Sequence, residues 1–199
     1  MMTERNHKII EQWISPGARV LDLGCGDGSL LKRLSTNKNA YTVGVEIAET
    51  KIIECLKKGI CVYQADIDEG ISNLDDMSFE YVILNETLQE IYKPHRVIEE
   101  MLRVGLHAII SVSNFGYIKN RLHMLLRGRI SADIRFDGSW HDSPVIRFFT
   151  VSEFENLLVK MGIVIEDARY FMPMGHVATK RPPVPDLLVK GGLYKLRRA

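Results

Sequence analysis

Apolar positions along this chain fall into short blocks that switch between helical spacing and strand spacing. Between residues 4 and 14, Ile10, Trp13 and Ile14 recur on one helical face, and Ser15-Pro16-Gly17 then breaks the pattern. A strand is predicted over 19–23, followed by a helix from about 29 to 34 and an apolar strand over 41–46. The spacing predicts a helix over 49–58 stopped by Gly59, short apolar runs over 60–66 and 79–85, and a helix over 94–103 stopped by Gly105. A strand over 108–112 ends at Ser113-Asn114. Beyond it, the pattern gives a helix over 151–161 stopped by Gly162, a strand over 164–170 and a last strand near 192–197. The Pro182-Pro183-Val184-Pro185 run can be neither helix nor central strand, so it predicts a connecting loop. Strands that alternate with helices in this way imply an α/β protein whose parallel sheet carries helices on both faces.

The first strand runs into three alternating glycines, Val20-Leu21-Asp22-Leu23-Gly24-Cys25-Gly26-Asp27-Gly28. Glycines at such positions permit turns that a Cβ obstructs, and they let a ligand approach the main chain where a helix begins. A dinucleotide fingerprint reads G-x-G-x-x-G and brings a pyrophosphate to the helix N-terminus. Here the register is G-x-G-x-G, Ser29 follows, and Asp22 and Asp27 lie in or beside the loop. Two carboxylates repel a pyrophosphate and suit a cationic ligand that carries an ammonium and a sulfonium.

This pattern resembles motif I of class I S-adenosylmethionine (SAM) methyltransferases, and three further elements follow in order. The strand Tyr41-Thr42-Val43-Gly44-Val45-Glu46 ends in an acid, close to the roughly 20 residues expected between the turn and a carboxylate that accepts two hydrogen bonds from a ribose diol. A solvated charge at a strand end would read the same way. Ile60-Cys61-Val62-Tyr63-Gln64-Ala65-Asp66 also ends in an acid, which in the resembled fold sits beside the adenine amino group. Asp68 and Glu69 compete for that role, and a plain loop aspartate is the alternative. Phe79-Glu80-Tyr81-Val82-Ile83-Leu84-Asn85 ends near the transferred methyl in the same fold. The resemblance thus places Asp22, Gly24, Cys25, Gly26, Gly28, Glu46, Ile47, Asp66, Ile67 and Asn85 around SAM or its demethylated product S-adenosylhomocysteine (SAH). It implies a Rossmann-like seven-stranded sheet, mostly parallel, with an antiparallel C-terminal hairpin strand.

Composition narrows the picture further. With 199 residues and 46% apolar content the chain can bury one core, which predicts a single domain over 1–199 with a substrate or partner insertion at about 115–148. A formal net charge of +1 gives no global attraction to nucleic acid or to an anionic membrane. No apolar run approaches the 18 or so residues needed to span a bilayer, and residues 1–7 are polar, so a cytoplasmic protein without a membrane association is expected. Cys25, Cys55 and Cys61 lack C-x-x-C spacing, so neither a metal site nor a disulfide framework is expected, and buried or loop thiols are the simple account.

The insertion carries the more specific signal. Leu84-Asn85-Glu86-Thr87-Leu88-Gln89, Ser113-Asn114-Phe115-Gly116, Arg121-x-x-x-Leu125-Leu126-Arg127-Gly128-Arg129 and Trp140-His141-Asp142-Ser143-Pro144, followed by Phe149-Thr150, resemble the methionine biosynthesis protein MetW family. The similarity runs from the first helix to Leu193-Tyr194-Lys195-Leu196-Arg197-Arg198. The chain departs from the family at His141, Ser143, Val145 and Arg147, and at Ser113, where a proline is usual. What the resemblance implies is a role in methionine biosynthesis beside MetX, the homoserine O-acyltransferase. Because SAM is the end product of that route, a SAM-binding subunit on an early enzyme could report product level through unequal affinity for two states of the complex.

An independent methyltransferase acting on a small molecule is the alternative. Positioning alone supplies about 7 to 11 kcal/mol of such a barrier, and a hydroxyl or amine acceptor also needs a base. His141 is the candidate base, Asn85 and Asn114 the candidate positioning groups, and Tyr92 or Trp140 the candidate covers for the methyl. Each also has a plain account as a loop, turn or packing residue, and together they form no recognisable constellation. Nucleic-acid modification draws only on Lys119, Arg121, His123, Arg127, Arg129 and Arg135. Ile118, Leu122, Leu125 and Leu126 make one face of the same stretch apolar, which fits a partner-docking helix at least as well.

Overall fold

The computed structural model describes residues 2–129 and 143–199. The chain divides into two compact units, Met1–Thr87 with Lys93–Ile110, and Leu88–Tyr92 with Ser111–Ala199.

The first unit runs α1 (Met2–Trp13), β1 (Arg19–Leu23), α2 (Ser29–Lys38), β2 (Tyr41–Glu46), α3 (Glu49–Lys57), β3 (Cys61–Gln64), β4 (Phe79–Leu84), α4 (Pro94–Val104) and β5 (Gly105–Ser113) as far as Ile110. The strands pair in parallel in the order β3-β2-β1-β4-β5. Paired residues in a parallel ladder point the same way, so Asp22, Gly44 and Ile83 share one face while Leu23 and Val45 share the other. A Cβ on Gly44 would meet Leu31 of α2, which places α2 over the first face. Leu23 and Val97 of α4 line a common cavity, which places α4 over the second. Helices therefore cover both faces of this unit, as the alternation of elements implies. Its core is apolar on each side of the sheet, with Val20, Leu21, Leu23, Val82, Ile83, Leu84 and the inward faces of the helices excluded from water.

The second unit holds α5 (Ile118–Arg127), α6 (Val151–Lys160), β6 (Ile163–Phe171), β7 (Val177–Ala178), α7 (Pro185–Leu188) and β8 (Gly191–Arg198). β6 pairs antiparallel with β8 and with β7. A capping box starts α6: the Thr150 hydroxyl accepts from Glu153 N, and the Glu153 carboxylate accepts from Thr150 N. Behind α6 the buried Glu155 carboxylate accepts from Tyr170 Oη at 2.8 Å, Tyr194 Oη at 3.2 Å and Arg181 Nε at 2.6 Å, so both oxygens of the one buried acid of the helix are partnered.

Four differences from the sequence reading have physical causes. There are eight strands among the described residues rather than seven, because Val177–Ala178 folds back on Tyr170–Phe171 in a two-residue ladder too short to leave an alternation pattern. α2 runs on to Lys38 because Asn39, at φ 52°, closes it in the left-handed region and donates to Leu34 O. Gly105 ends α4 and begins β5 without a loop; a Cβ there would sit 2.5 Å from Val82 Cγ2, so close packing rather than turning requires the glycine. Pro185 is not in a loop but opens α7, a position where its missing N–H costs nothing.

Candidate cofactor-binding site

The turn after β1 is built by three glycines in the left-handed region, Gly24 at φ 72°, Gly26 at φ 55° and Gly28 at φ 72°. Their surroundings differ. A Cβ on Gly24 would lie 2.9 Å from Thr87 Oγ1, and one on Gly28 would lie 2.9 Å from Cys55 Sγ, so these two are packed against the fold. A Cβ on Gly26 would meet nothing within 4 Å. Gly26 thus leaves open space above the main chain at the centre of the turn.

Glu46, at the end of β2, holds that turn. Its Oε2 accepts from Gly26 N at 2.8 Å, and its Oε1 accepts from Ile47 N and Ala48 N at 2.9 Å each. A carboxylate offers about four acceptor sites, so three backbone amides leave room for about one more bond rather than the two of the ribose reading. Ile47, beside it, is 60% exposed and presents an apolar surface at the rim.

Asp22 lies below the turn with 2% of its surface exposed, and its Oδ1 has no hydrogen-bond partner. Burial, and secondarily the nearby Glu46 charge, push its carboxyl up to about 8. A buried acceptor of this kind favours a cation or a strong donor above it. Asp27 behaves in the opposite way. Burial raises its pKa, but Lys58 Nζ at 2.5 Å, the Ser29 hydroxyl at 2.6 Å and Ser29 N outweigh that and bring the carboxyl down to about 2. Lys58 therefore neutralises Asp27, and near neutral pH Asp22 holds its proton, so the standing negative charge of the site is that of Glu46 rather than of Asp22 and Asp27 as the sequence suggests.

The two buried thiols of this region, Cys25 and Cys55, lie with their sulfurs 3.9 Å apart, and Cys55 Sγ donates to Gly26 O at 3.2 Å. Burial pushes both thiols up, so they stay neutral beneath the turn. Cys61 is exposed.

On the far side, Asp66 is exposed, and its Oδ1 accepts from Asp68 N at 2.8 Å to cap a single 3-10 turn over Ile67–Glu69. Asp68, a competitor in the sequence, instead accepts from Lys93 N at 3.0 Å and so ties that turn to the start of α4. Next to it a cavity of about 280 Å³ is lined by Leu23, Ile67, Ile71 and Val97, with Glu69 and Arg96 among its polar edges. It shares Ile67 with the predicted ligand set and none of the glycines. At the end of β4, Asn85 accepts from Asn6 Nδ2 at 2.9 Å, and the next residue, Glu86, sits at φ 64°, a conformation that non-glycine residues rarely hold.

The remaining candidates fall in or near the second unit. Asn114 is buried there as a structural clip: its Nδ2 donates to Val189 O at 2.6 Å and Asp186 O at 3.1 Å, and its Oδ1 accepts from Gly116 N at 3.0 Å. Its amide is occupied by the backbone it holds. Tyr92 is 65% exposed, and its carbonyl accepts from Arg147 Nη2 at 2.5 Å. Arg135, Trp140, His141 and Asp142 lie outside the described residues. Sequence reasoning missed Asn6, Lys58 and Thr87. For Asn6 a signal existed: it begins the buried stripe Asn6, Ile10, Ile14 at helical spacing, a polar residue at a core position.

Gly26 is the turn glycine whose missing Cβ faces open space, so Gly26→Ala separates folding from binding at this turn. The variant is expected to lose about 1 kcal/mol of stability from the left-handed strain and nearly all ligand affinity. Thermal melts paired with a binding titration check this; equal loss of both would show Gly26 to be merely structural.

A parallel β3-β2-β1-β4-β5 sheet, a glycine turn after β1 and an acid after β2 define a Rossmann-like fold of the class I SAM-dependent methyltransferase type. Solved structures agree. A SAM-dependent methyltransferase from Mesorhizobium loti superposes with a TM-score of 0.69 at 20% identity, covering 97% of this chain and 98% of that one. A Thermotoga maritima SAM-dependent methyltransferase, described as a possible histamine N-methyltransferase, gives 0.67 at 17% identity, covering 100% of this chain and 95% of that one. At such identities the likeness is one of fold. The sequence model described as "Methionine biosynthesis protein MetW" matches residues 4–196, and the chain belongs to that family. A bifunctional methionine biosynthesis protein MetXA/MetW from Rhodopirellula baltica is 38% identical over 163 residues, which cover 77% of this chain and 26% of that protein. This chain therefore spans about a quarter of that relative's length. No helix among the described residues is long and apolar enough to cross a membrane.

Proposed function

We propose that this chain is a single SAM-binding domain that acts in the cytoplasm with a homoserine O-acyltransferase of methionine biosynthesis. The observation that carries the ligand is the buried, unpartnered Asp22 acceptor beneath an open glycine turn. A buried acid that lacks a partner at Oδ1 and ionises when a cation lies above it suits the ammonium and sulfonium of SAM, whereas a pyrophosphate would hold it protonated. In this reading Asp22 faces the cationic end, the Gly24–Gly28 backbone cradles the amino-acid chain, and Glu46 offers its remaining acceptor site to a ribose hydroxyl. Ile47 and Ile67 flank the adenine, with Asp66 at its amino edge. When bound, SAM would supply a methyl group activated by its sulfonium.

The partner rests on the relative whose name joins MetXA to MetW in one chain. Exposed apolar residues on α5 support a protein surface there: Leu125 is 79% and Leu126 78% exposed beside Arg121 and Arg127, and the helix holds no acidic residue. SAM would then regulate through unequal affinity for two states of the complex. The test mixes the chain with its cognate acyltransferase and measures complex formation and acyl transfer with and without saturating SAM. Changes in both are expected, and indifference of both to SAM would end the regulatory reading. An independent small-molecule methyltransferase is the second reading, favoured by the strained Glu86 beside Asn85. It requires radiolabelled methyl to appear in an acceptor.

A further inference from the structure

The N-terminal helix brings an unusual residue to the ligand turn. Asn6 is 0% exposed, yet its Oδ1 has no hydrogen-bond partner, and its Nδ2 donates to Asn85 Oδ1. Buried polar atoms are rarely left unpaired, and an apolar residue at this position of α1 would continue the Ile10 and Ile14 stripe at no such cost. The orphaned acceptor therefore calls for a donor from outside the chain.

Its position says what that purpose is. Asp22 pairs in register with Ile83, so strand alternation carries the following Asn85 to the same face as Asp22, the face that α2 covers. α1 packs on α2 and reaches Asn85 from that side. The neighbouring His7, partly buried, interacts electrostatically with Glu86 after β4 and Asp27 in the turn as well as with Glu4 and Arg33. The turn of α1 around Asn6 and His7 thus overlooks the junction between the glycine turn and the end of β4. Asp22 and Asn85 thus stand at the carboxyl ends of two adjacent strands, one carrying an orphaned buried acceptor itself and the other bonded to Asn6, whose Oδ1 is the second orphaned acceptor. In an open α/β sheet that is where ligands enter.

We infer that Asn6 is a positioning residue for the amino-acid end of the ligand, its Oδ1 accepting a hydrogen bond from the ammonium while its Nδ2 stays fixed on Asn85. The inference rests on the SAM-binding reading and sharpens it: α1 belongs to the site, and specificity for the amino-acid portion is divided between Asp22 and Asn6. A ligand with the adenosine and thioether but no amino-acid portion makes no use of Asn6.

The discriminating probe is 5′-methylthioadenosine, which keeps the nucleoside and thioether of SAH and lacks its amino-acid portion. Calorimetric titrations of the full chain and of Asn6→Leu compare the two ligands, with melting temperatures confirming folding. Asn6→Leu is expected to weaken SAH about ten- to a hundredfold and to leave methylthioadenosine within about threefold. Asn6→Asp supplies the second arm: it keeps an acceptor for the ammonium, and the Asn85 amide can turn to donate to it, so SAH binding is expected within about threefold of the unaltered chain. Equal weakening of both ligands in either variant, or no weakening of SAH in Asn6→Leu, overturns the inference while leaving the SAM-binding reading intact. Failure of the unaltered chain to bind either ligand overturns both.

Discussion

Replacing Glu46 by alanine is expected to abolish measurable SAM binding and to cost about 3 kcal/mol of stability. The carboxylate is the acceptor for Gly26 N, Ile47 N and Ala48 N, so one truncation strands three amides and frees the turn to relax. Hydrogen bonds to a charged group contribute about 1.5–3 kcal/mol each, but Gly26 is partly exposed and water recovers part of the loss. That places the net cost near the value of one or two such bonds. Affinity falls further than stability, by an expected hundredfold or more, because the ligand must reorder a turn that Glu46 otherwise holds ready. Glu46→Gln should be intermediate, since one oxygen remains but the amide nitrogen faces an N–H. Urea unfolding and calorimetry measure the two effects separately. An alanine variant as stable as the original chain would show that the amides find other partners and that Glu46 does not organise the turn.

Asp22→Asn should change how stability depends on pH. With its carboxyl pushed up to about 8 by burial and then by Glu46, Asp22 holds its proton in the folded chain while an unfolded aspartate releases it near its ordinary value of 3.8. The folded state therefore binds more protons between those values, and stability falls as pH rises from about 4 to about 8, then levels. The asparagine variant lacks that slope. It should be the more stable chain at pH 8.5, by about 2–4 kcal/mol, and close to the original at pH 4. Binding should move in the opposite direction. A cationic ligand favours the ionised Asp22, so its binding near neutral pH releases a proton, visible as a heat that depends on the ionisation enthalpy of the buffer. Asp22→Asn should lose that proton release and bind SAM at least about tenfold more weakly. Matching pH profiles for the two chains would show that Asp22 does not carry the shift.

Much of this was legible in the sequence because the signals were local. Alternating glycines after Leu23, an acid at the end of an apolar strand, and Gly59 and Gly162 after amphipathic stretches all act within a few residues of where they stand. The rest depended on partners that meet only in the fold. Asp22 and Asp27 look equivalent in the string, yet Lys58, from beyond α3, neutralises one and leaves the other buried and unpaired. Asn114 reads as a strand-end polar residue available to a substrate, whereas contacts some 70 residues away occupy its amide. The packing of Thr87 against Gly24 and of Cys55 against Gly28 leaves only Gly26 open. No spacing rule separates those three glycines.

The most direct test of the central claim is calorimetric titration of the full chain with SAM and with SAH, set beside Gly26→Ala. Saturable binding of both ligands by the unaltered chain, absent in a Gly26→Ala variant that melts within a few degrees of it, is the predicted result. A folded chain that binds neither ligand, or a Gly26→Ala variant that binds both as well as the original, would contradict the assignment of the ligand to this turn.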